Sequence, residues 1–555
     1  MTTTVIVGGV AGGASCAARL RRNDEHMNIV VLERGPHVSF ANCGLPYYLS
    51  GVIEKEEDLL LATPEFFRQR FNIDVRTGNN VAAIDRAKHK LRVRQAIGKE
   101  YDLSYDHLVL APGANPIRPP LPGIDLPGIF SLRSVPDSNV IKSWIGTNKV
   151  KHATVIGGGF IGLEVMENLH HLGIKVTLVE RVDQIMVALD PEMALPLADQ
   201  IRARKVDLRL GCEVTGFEKT AKASKSGMLT VKLGNGAAVK TDMVVLAIGV
   251  RPESDLAKAC GLDLGPRGHI LVNSHMRTSD SRIFAVGDAV EVKCAITGNK
   301  TAVPLAGPAN RQGRIAADII AGKRRSFRGV QGTAVCGVFG MTIAATGLNE
   351  RALRTSGIPY EVVYAHPRNH VGYYPGATEI NMKLLYDTGT GRVLGAQAVG
   401  SEGVERRIDV IAMAIQMGAN VFDLEEAELC YAPQYGAAKD PVNMVGMVAS
   451  NAMRGDLPIT HWDQMSDGKA VVLDVRTKEE VKDNPMPSGM HIPIDDLRKK
   501  LGKLPKDRPI QVVCGVGIRA YNAICLLKQH GFKASLLSGG VSTWLHYGET
   551  IKTRK

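Results

Sequence analysis

The chain has 555 residues, too many for a single hydrophobic core, so several domains are expected. It has no run of about 18 apolar residues, so a membrane span is not expected. Its nine cysteines are odd in number and scattered without paired C-x-x-C spacing, which argues against a disulfide framework or metal site and favours a reducing, cytoplasmic compartment. The formal charge of +12 favours acidic partners, yet we find no nucleic-acid-binding motif, and an anionic small molecule also suits this charge.

The first predicted unit is a strand, a glycine turn, a helix and a second strand that ends in an acid. Residues 4–7 form the first strand, residues 8–13 form the turn GGVAGG, and the second strand, 29–32, ends at Glu33. Glycines let the backbone approach a pyrophosphate at the helix N-terminus, and the carboxylate can bind a ribose diol. Because Val10 replaces the middle glycine of the motif, a structural turn is the alternative. The predicted dinucleotide contacts are Gly8, Gly9, Ala11, Gly13 and Glu33.

A second and complete copy of this unit follows. The strand 153–156 leads into the turn GGGFIG at residues 157–162, and a later strand, 175–179, ends at Glu180. Two such units are much harder to obtain by chance than one, which favours dinucleotide binding over a structural turn. Glu180 favours NADH because a carboxylate repels the additional phosphate of NADPH, although Arg181 leaves the preference open. The predicted contacts of this unit are Gly157, Gly159, Gly162 and Glu180.

Three short segments indicate which cofactor each unit binds. Residues 110–114 (LAPGA) precede the second unit, residues 247–252 (AIGVRP) close it, and residues 283–288 (IFAVGD) follow. The last segment resembles the second flavin-contacting signature of flavoproteins that have two dinucleotide-binding domains. The first 450 residues thus resemble the pyridine nucleotide–disulfide reductase superfamily. This resemblance implies that FAD binds the first unit, with Ala111, Gly113 and Asp288 as further contacts, and that NAD(P)H binds the second.

Cys43 is a single cysteine in a segment where dithiol members of the superfamily have two. Residues 39–48 have the sequence SFANCGLPYY. A lone cysteine is ordinarily a buried small hydrophobe, but the adjacent glycine and the polar Ser39 and Asn42 favour a thiolate stabilised by backbone amides and the flavin. A single redox thiol must be resolved by an external thiol, a distant cysteine or a sulfenic acid.

The Cys43 segment resembles the motif of the coenzyme A disulfide reductases. That resemblance implies that Ser39 and Asn42 contact the thiol arm of coenzyme A. It also implies that Arg19 and Arg22, which share one helix face, meet the coenzyme A phosphates, with a solvent-facing basic helix as the alternative. NADH oxidases and peroxidases are also single-cysteine relatives. Peroxidases usually have a histidine where this chain has Ala11, which counts against a peroxidase.

Two tyrosine-bearing segments match the dimerisation domain of the same family. Residues 372–376 have the sequence GYYPG, and residues 431–435 have the sequence YAPQY. In the family, a tyrosine from each segment reaches the partner subunit's active site and donates a proton or a hydrogen bond to the departing sulfur. The resemblance implies a homodimer and assigns these roles to Tyr373 and Tyr431. The adjacent alternatives are Tyr374 and Tyr435, and composition alone would make all four ordinary half-buried residues.

The C-terminal part begins a new α/β pattern after a predicted linker over residues 451–459. There, the strand 510–513 enters Cys514 in the sequence CGVGIR. A cysteine at a strand end, in a glycine loop that opens a helix, is surrounded by N–H donors that stabilise a thiolate or a persulfide. Four residues separate Cys514 from Arg519, as in sulfurtransferases, whereas protein tyrosine phosphatases have five. The segment resembles a rhodanese domain, and an inactive rhodanese is the alternative.

The chain as a whole resembles the coenzyme A disulfide reductase–rhodanese fusions, some of which are NADH-dependent persulfide reductases. The implied fold is α/β, with two nested Rossmann-like domains, an α+β dimerisation domain and an α/β rhodanese domain. The predicted ranges are 1–148 with 250–325 for FAD, 149–249 for NAD(P)H, 326–450 for dimerisation, 451–459 for the linker and 460–555 for the rhodanese domain.

The implied activity is NAD(P)H-dependent and FAD-dependent reduction of a sulfur–sulfur bond. Cys43 would form a mixed disulfide with coenzyme A, and Cys514 would deliver sulfane sulfur. Coenzyme A persulfide, polysulfide and coenzyme A disulfide all stay open as substrates. An NADH oxidase and a flavin-dependent redox sensor whose rhodanese-like tail docks a partner are the remaining alternatives.

Overall fold

A computed structural model describes residues 1–220, 228–465, 468–486 and 489–545, so the end of the predicted rhodanese range, 546–555, lies outside the described residues. The chain divides into two compact units. The first is Met1–Ile185 with Val206–Val330, and the second is Met186–Lys205 with Gln331–Lys555. Within the described residues, no helix is long and apolar enough to cross a membrane.

Some strands stand alone between helices, and others follow one another in runs of two to seven. The strands are β1 Thr3–Val7, β2 Asn28–Glu33, β3 Asp74–Thr77, β4 Asn79–Asp85, β5 Lys90–Gln95, β6 Glu100–Ser104, β7 His107–Leu110, β8 Ala114–Pro116, β9 Ile129–Ser131, β10 His152–Ile156, β11 Lys175–Val179, β12 Asp207–Arg209, β13 Val214–Lys219, β14 Leu229–Leu233, β15 Ala238–Thr241, β16 Met243–Leu246, β17 Val250–Pro252, β18 Ile270–Leu271, β19 Ile283–Ala285, β20 Val290–Lys293, β21 Lys300–Thr301, β22 Ala334–Val338, β23 Met341–Gly347, β24 Tyr360–Ala365, β25 Ile380–Asp387, β26 Val393–Gly400, β27 Ile459–Thr460, β28 Val471–Asp474, β29 Met490–His491, β30 Ile510–Val513 and β31 Ala534–Leu537.

The α-helices are α1 Ala11–Asn23, α2 Leu45–Ser50, α3 Pro64–Phe71, α4 Val135–Asn148, α5 Phe160–His171, α6 Pro191–Ala203, α7 Asp255–Ala259, α8 Ala306–Ile320, α9 Glu350–Ser356, α10 Val404–Met417, α11 Val421–Glu425, α12 Pro441–Met453, α13 Lys478–Asp483, α14 Ile494–Lys500 and α15 Ile518–Gln529.

The first unit contains two parallel five-stranded sheets. The strand order is β19-β7-β1-β2-β3 in one sheet and β12-β11-β10-β16-β9 in the other. Their central strands are runs of buried aliphatic residues, as expected of parallel strands covered on both faces. The strand β9 lies inside the predicted range 1–148, yet it pairs with β16 of the second sheet. The chain thus contributes an edge strand to the second sheet before the second glycine turn begins.

The second unit contains an antiparallel sheet of order β22-β23-β26-β25-β24. Helices α10, α12 and α6 pack against this sheet, although α6 lies in the sequence range predicted for NAD(P)H. Lys383 of β25 is fully buried and holds the α6 region in place. Its Nζ lies 2.7 Å from Asp190, 2.5 Å from Glu192 and 2.6 Å from Glu350.

The C-terminal part of the second unit is a parallel sheet of order β27-β31-β30-β28-β29. The predicted linker, 451–459, begins inside α12, which ends at Met453. Leu457 is buried in the core of this C-terminal part, so the segment between α12 and β27 is short and packed. Side-chain contacts join the described C-terminal part to the antiparallel sheet. His461 contacts Glu361 at 2.7 Å, and His366 contacts Thr543 at 2.8 Å.

Candidate functional site

The two glycine turns have the same construction. In the first, the Gly9 N–H donates to Glu33 at 2.9 Å, and the second carboxylate oxygen accepts the Gly35 N–H at 2.8 Å. In the second, the Gly158 N–H donates to Glu180 at 2.6 Å, and the other oxygen accepts the Val182 N–H at 3.0 Å. Each acid at a strand end is therefore held beside its own glycine turn.

Both turns also require glycine where the backbone passes closest to its neighbours. Gly8 and Gly157 have φ values of +96° and +109°, which disfavour other residues. A Cβ at Gly13 would lie 1.9 Å from the Gly8 carbonyl oxygen, and a Cβ at Gly162 would lie 1.9 Å from that of Gly157. These four glycines are among the predicted dinucleotide contacts. The local backbone explains why no larger residue fits at these positions.

The Cys43 loop is tied to the first glycine turn. The Ser39 N–H donates to the Gly9 carbonyl at 2.8 Å, and Ser39 itself has a left-handed φ of 49°. Asn42 and Cys43 follow in a short 3-10 helix, Asn42–Gly44, which leads into α2. Cys43 is exposed. The loop that carries Asn42 and Cys43 thus begins, at Ser39, next to the turn that precedes α1.

The electrostatics of Cys43 differ from the sequence-based expectation of a stabilised thiolate. Partial loss of solvent raises the pKa of the Cys43 thiol, and the negative charges of Glu164 and Asp288 raise it further. A hydrogen bond from its own backbone N–H opposes this shift. The protein alone therefore favours the neutral thiol, because the partial loss of solvent and the charges of Glu164 and Asp288 both disfavour a thiolate.

Glu164 influences the Cys43 thiol electrostatically, and no motif in the sequence singled it out. It lies on α5, directly after the second glycine turn, and burial raises its pKa to about 7, against a hydrogen bond from Tyr47 that lowers it. Helix α5 packs against α2, where the Ser50 hydroxyl donates to Asn168 at 2.5 Å. The only sequence signal was an acid two residues beyond the last glycine of the turn, which is a common feature of helices.

Asp288 lies in a short 3-10 helix, Gly287–Ala289, at the end of β19. Burial raises its pKa, and the positive charge of Arg133 lowers it. Arg133 also donates to the Pro112 carbonyl at 3.0 Å, between Ala111 and Gly113. The predicted flavin contacts from three separate segments are therefore assembled within one unit.

Arg19 and Arg22 have different environments, although they share a helix. The Arg19 Nε donates to Asp318 at 2.7 Å, and its Nη2 donates to the second oxygen at 3.2 Å. Arg22 is exposed and lies 5.5 Å from the centroid of the Phe71 ring. The charge of Arg19 is thus compensated by a buried carboxylate, which the sequence did not predict.

Tyr373 and Tyr431 are brought together, with their hydroxyl oxygens 2.9 Å apart. They are 74% and 47% exposed, which excludes the interpretation of both as half-buried core residues. This hydrogen bond is the largest cause of a raised pKa at Tyr373. The alternatives Tyr374 and Tyr435 are also exposed, and Tyr374 packs its ring against His370.

The Cys514 loop surrounds its sulfur with backbone donors, as the sequence predicts. The Cys514 Sγ accepts the Gly517 N–H at 3.2 Å and the Ala520 N–H at 3.4 Å, and the residue is 1% exposed. Arg519 forms two hydrogen bonds of 2.6 Å with Glu480, and this pairing lowers the pKa of Glu480 to about 2. The electrostatic influence of Cys514 also contributes to the raised pKa of Arg519. Backbone dipoles and one guanidinium therefore converge on this sulfur.

Comparisons with known families decide the assignment of the chain. Residues 2–313 match the model described as pyridine nucleotide-disulphide oxidoreductase, and residues 333–440 match the dimerisation domain of the same class. Residues 458–547 match the rhodanese-like domain.

The chain belongs to the pyridine nucleotide-disulphide oxidoreductase family. A coenzyme A disulfide reductase from Staphylococcus haemolyticus (strain JCSC1435) is 34% identical over 451 residues, 81% of this chain and 99% of that protein. The solved structure of reduced Bacillus anthracis CoADR-RHD has a TM-score of 0.95 at 45% identity and covers 98% of each chain. An NAD-dependent persulfide reductase from A. fulgidus has a TM-score of 0.89 at 37% identity, covering 98% of this chain and 100% of that one.

These findings confirm the predicted α/β fold, the oxidoreductase class and the C-terminal rhodanese domain. Membership in this family implies FAD and a nicotinamide dinucleotide as cofactors, and the residues present fit them. Helices α1 and α5 begin without a side-chain cap and without an acid in the first turn, which leaves their N-terminal N–H groups available to phosphate oxygens.

Proposed function

We propose that this family member is an FAD-dependent NAD(P)H oxidoreductase that reduces the sulfur–sulfur bond of coenzyme A persulfide or polysulfide and releases hydrosulfide. The observation that supports this most directly is the Cys514 loop, an anion-stabilising sulfur site in the same chain as the exposed single thiol of Cys43. A site that forms a persulfide could supply sulfane sulfur to a thiol in the same chain that reduces it. Such a site would contribute nothing to an enzyme whose flavin reduces oxygen.

The chemistry is a thiol exchange followed by a two-electron reduction. The Cys43 thiolate attacks the inner sulfur of coenzyme A persulfide, the terminal S–S bond breaks, hydrosulfide leaves, and a Cys43–coenzyme A disulfide forms. The flavin, when bound, supplies electron transfer from NAD(P)H to this disulfide. The net reaction converts NAD(P)H, a proton and the persulfide into NAD(P)⁺, coenzyme A and hydrogen sulfide, and it regenerates the Cys43 thiolate.

The residues around Cys43 would bind and orient the substrate, accept the proton of the Cys43 thiol and donate a proton to the departing sulfur. Ser39 and Asn42 would contact the thiol arm of coenzyme A. Glu164, with a pKa of about 7, is suited to accept the Cys43 proton because it is near half ionised at neutral pH. Tyr373 and Tyr431 would protonate or hydrogen-bond the departing sulfur in a homodimer.

Cys514 would take sulfane sulfur from a donor and present it for reduction. Its backbone donors and Arg519 would stabilise the thiolate and then the persulfide anion. Because Cys514 is buried, exposure of its sulfur has to accompany transfer. The free state of all nine cysteines fits a reducing compartment, and we place the reaction in the cytoplasm.

The deciding experiment is anaerobic NADH oxidation with assay of hydrosulfide, comparing coenzyme A persulfide, polysulfide and coenzyme A disulfide. The variants are Cys43→Ser and Cys514→Ser, with Cys260→Ser and Cys525→Ser as matched controls in the same parts of the chain. We expect rapid turnover with persulfide, loss in Cys43→Ser, and loss in Cys514→Ser only when sulfur comes from a donor such as thiosulfate.

Two other outcomes would replace the proposal. Faster turnover of coenzyme A disulfide without hydrosulfide would identify a coenzyme A disulfide reductase with an accessory sulfur domain, which the name of the staphylococcal relative makes the second candidate. Rapid NADH consumption in air without any sulfur acceptor would identify an NADH oxidase.

A further inference from the structure

Arg407 is a buried cation that no motif in the sequence singled out. It lies on α10, is 2% exposed and donates to Asp440 at 2.9 Å from Nη2 and at 3.3 Å from Nε. Asp440 is equally buried and caps the N-terminus of α12, where it accepts the Val442 N–H at 3.1 Å. Since a buried ion pair is weak evidence for added stability, the remaining contacts of Arg407 indicate its role.

Arg407 also contacts backbone carbonyls of the two segments that carry the exposed tyrosine pair. Residues 369–376 are the first tyrosine segment, and residues 430–436 are the second. The Arg407 Nη2 donates to the Asn369 carbonyl at 2.7 Å and lies 3.5 Å from the Tyr435 carbonyl oxygen. One buried guanidinium therefore contacts the backbone of both tyrosine segments.

The two tyrosine segments are also bonded to each other near this guanidinium. The Val371 N–H donates to the Gly436 carbonyl at 3.0 Å, and the Gly436 N–H donates to the Ala432 carbonyl at 3.1 Å. Both segments lie wholly within the described residues and contain no helix or strand. The backbone that carries Tyr373 and Tyr431 therefore depends for its shape on such individual contacts.

The neighbouring Arg406 shows what the ion pair alone requires. Its Nη2 donates to the same carboxylate of Asp440 at 3.0 Å, and among the described residues it donates to no carbonyl of either tyrosine segment. Asp440 would therefore keep a cation without Arg407, whereas the carbonyl contacts would be lost. These contacts need the planar fork of a guanidinium, because the point charge of a lysine does not reproduce its directions.

We propose that Arg407 is a positioning residue for proton donation, which holds the two tyrosine segments so that the Tyr373 and Tyr431 hydroxyls stay within hydrogen-bond distance of each other. This inference rests on the proposed function for the reaction in which the tyrosines act. Arg407 is buried, so it acts through the tyrosines and not on the substrate.

The proton is needed when the sulfur–sulfur bond of the substrate breaks. The Cys43 thiolate attacks the coenzyme A sulfur of the persulfide, a new S–S bond forms, the terminal S–S bond breaks, and its electrons go to the departing sulfur. A persulfide is more acidic than a thiol, so its terminal sulfur is largely anionic at neutral pH and would leave as the sulfide dianion. A proton from the tyrosine pair lets it leave as hydrosulfide, and solvent returns the proton to the exposed pair.

The first test changes the proton demand of the departing sulfur in a single turnover. Holoenzyme with reduced Cys43 is mixed with coenzyme A persulfide, or with the mixed disulfide of coenzyme A and thionitrobenzoate. Thionitrobenzoate is a stable aromatic thiolate at neutral pH and leaves without a proton. The variants are Arg407→Lys and Asp440→Asn, which keeps a helix cap but removes the charge that holds the guanidinium. The control is Arg406→Gln.

We expect Arg407→Lys and Asp440→Asn to slow hydrosulfide release about tenfold or more, and thionitrobenzoate release by less than about twofold. Arg406→Gln should match wild type with both compounds. Equal slowing with both compounds would overturn the proposal, because it would show a general structural role, and so would no slowing with either. If Arg407→Lys does not fold, Asp440→Asn alone decides.

The second test needs no turnover and measures the tyrosine pair directly. The hydrogen bond from Tyr431 is the largest cause of the raised pKa of Tyr373, so misalignment should lower that pKa. The titration of 3-fluorotyrosine at position 373 of the holoenzyme is followed by fluorine NMR. Arg407→Lys should lower the titration midpoint, as Tyr431→Phe does, with retained flavin content, and Arg406→Gln should not.

A wild-type midpoint in both Arg407→Lys and Asp440→Asn would overturn the proposal. A lowered midpoint in a protein that releases no hydrosulfide from coenzyme A persulfide would leave Arg407 as the residue that aligns the tyrosines, and it would refute only the proposed function.

Discussion

The hydroxyl oxygens of Tyr373 and Tyr431 lie 2.9 Å apart, although these two exposed residues are 58 positions apart in the sequence. We propose that this hydrogen bond lets a proton that leaves one phenol be replaced from the other, so that the pair acts as one donor.

Replacing either tyrosine by phenylalanine should lower kcat for NADH oxidation by about 100-fold, because proton donation to the departing sulfur is lost. The double variant should be no slower than the worse single variant, since residues that act as a unit are not additive. Steady-state kinetics of the two single variants and the double variant measure this. Tyr374→Phe and Tyr435→Phe are the controls. If the fold-reduction of kcat in the double variant equals the product of the two single reductions, the two tyrosines do not act as one donor.

A substitution in one glycine turn should impair binding of one cofactor and leave the other cofactor bound. An alanine at Gly8 would put its Cβ 2.1 Å from the Ala111 carbonyl oxygen, and one at Gly157 would put it 2.3 Å from that of Ala247. We expect Gly8→Ala to be purified with little flavin. Gly157→Ala should keep its flavin but should not be reduced by NADH. Flavin absorbance and anaerobic titration distinguish these outcomes.

Gly146→Ala is the matched control for this comparison, because nothing lies within 4 Å of the added Cβ. It should retain both the flavin and its reduction by NADH. Loss of flavin from Gly157→Ala together with retention in Gly8→Ala would reverse the assignment of the two cofactors.

Glu164 should control the ionisation of Cys43. The carboxylate raises the pKa of the thiol, so Glu164→Gln is expected to lower the pH at which iodoacetamide alkylates Cys43. The alkylation rate as a function of pH, followed by mass spectrometry of the Cys43 peptide, measures the shift. The control is Glu25→Gln, an exposed acid that affects the pKa of neither group, and it should leave the profile unchanged. An unaltered or raised midpoint in Glu164→Gln would mean that the two groups are not coupled.

Glu164 should also make stability depend on pH. Its pKa is about 7 in the folded chain and 4.5 in a model peptide, so the folded state retains a proton that the unfolded chain has released. Its contribution is fully present below pH 4.5 and is lost as the pH rises through about 7. Urea unfolding at pH 5 and pH 8 should show a smaller difference in Glu164→Gln than in wild type. An equal difference in both proteins would exclude this contribution.

Local patterns in the sequence predicted the parts of the site that local structure forms. A glycine turn, its acid at the next strand end and the Cys514 loop each lie within one short segment, where spacing determines geometry. Glu164 and Asp318 could not be found in this way. The electrostatic influence of Glu164 on Cys43 and the hydrogen bond between Asp318 and Arg19 join segments far apart in sequence, and many unrelated acids have the same local pattern.

Lys383 should contribute strongly to the stability of the second unit, because it is a fully buried cation with acidic partners. Its Nζ is surrounded by Asp190, Glu192 and Glu350, and removal of the cation would leave three carboxylates together in a buried site. Lys383→Met is therefore expected to lower the free energy of unfolding by about 3–5 kcal/mol in urea titrations at pH 7. The exposed Lys439→Met should change it by less than about 0.5 kcal/mol.

The loss of unfolding free energy caused by Lys383→Met should become smaller at low pH. Burial alone would raise the pKa of Glu350, but Lys383 overcomes this and the pKa falls to about 2. The stabilisation from this ionised carboxylate is therefore present above pH 4.5 and is lost as the pH falls through about 2. The difference in unfolding free energy between wild type and variant should narrow between pH 5 and pH 3, because protonated carboxyls no longer require the cation. A difference that stays constant over this range would show that lost packing, and not charge, destabilises the variant.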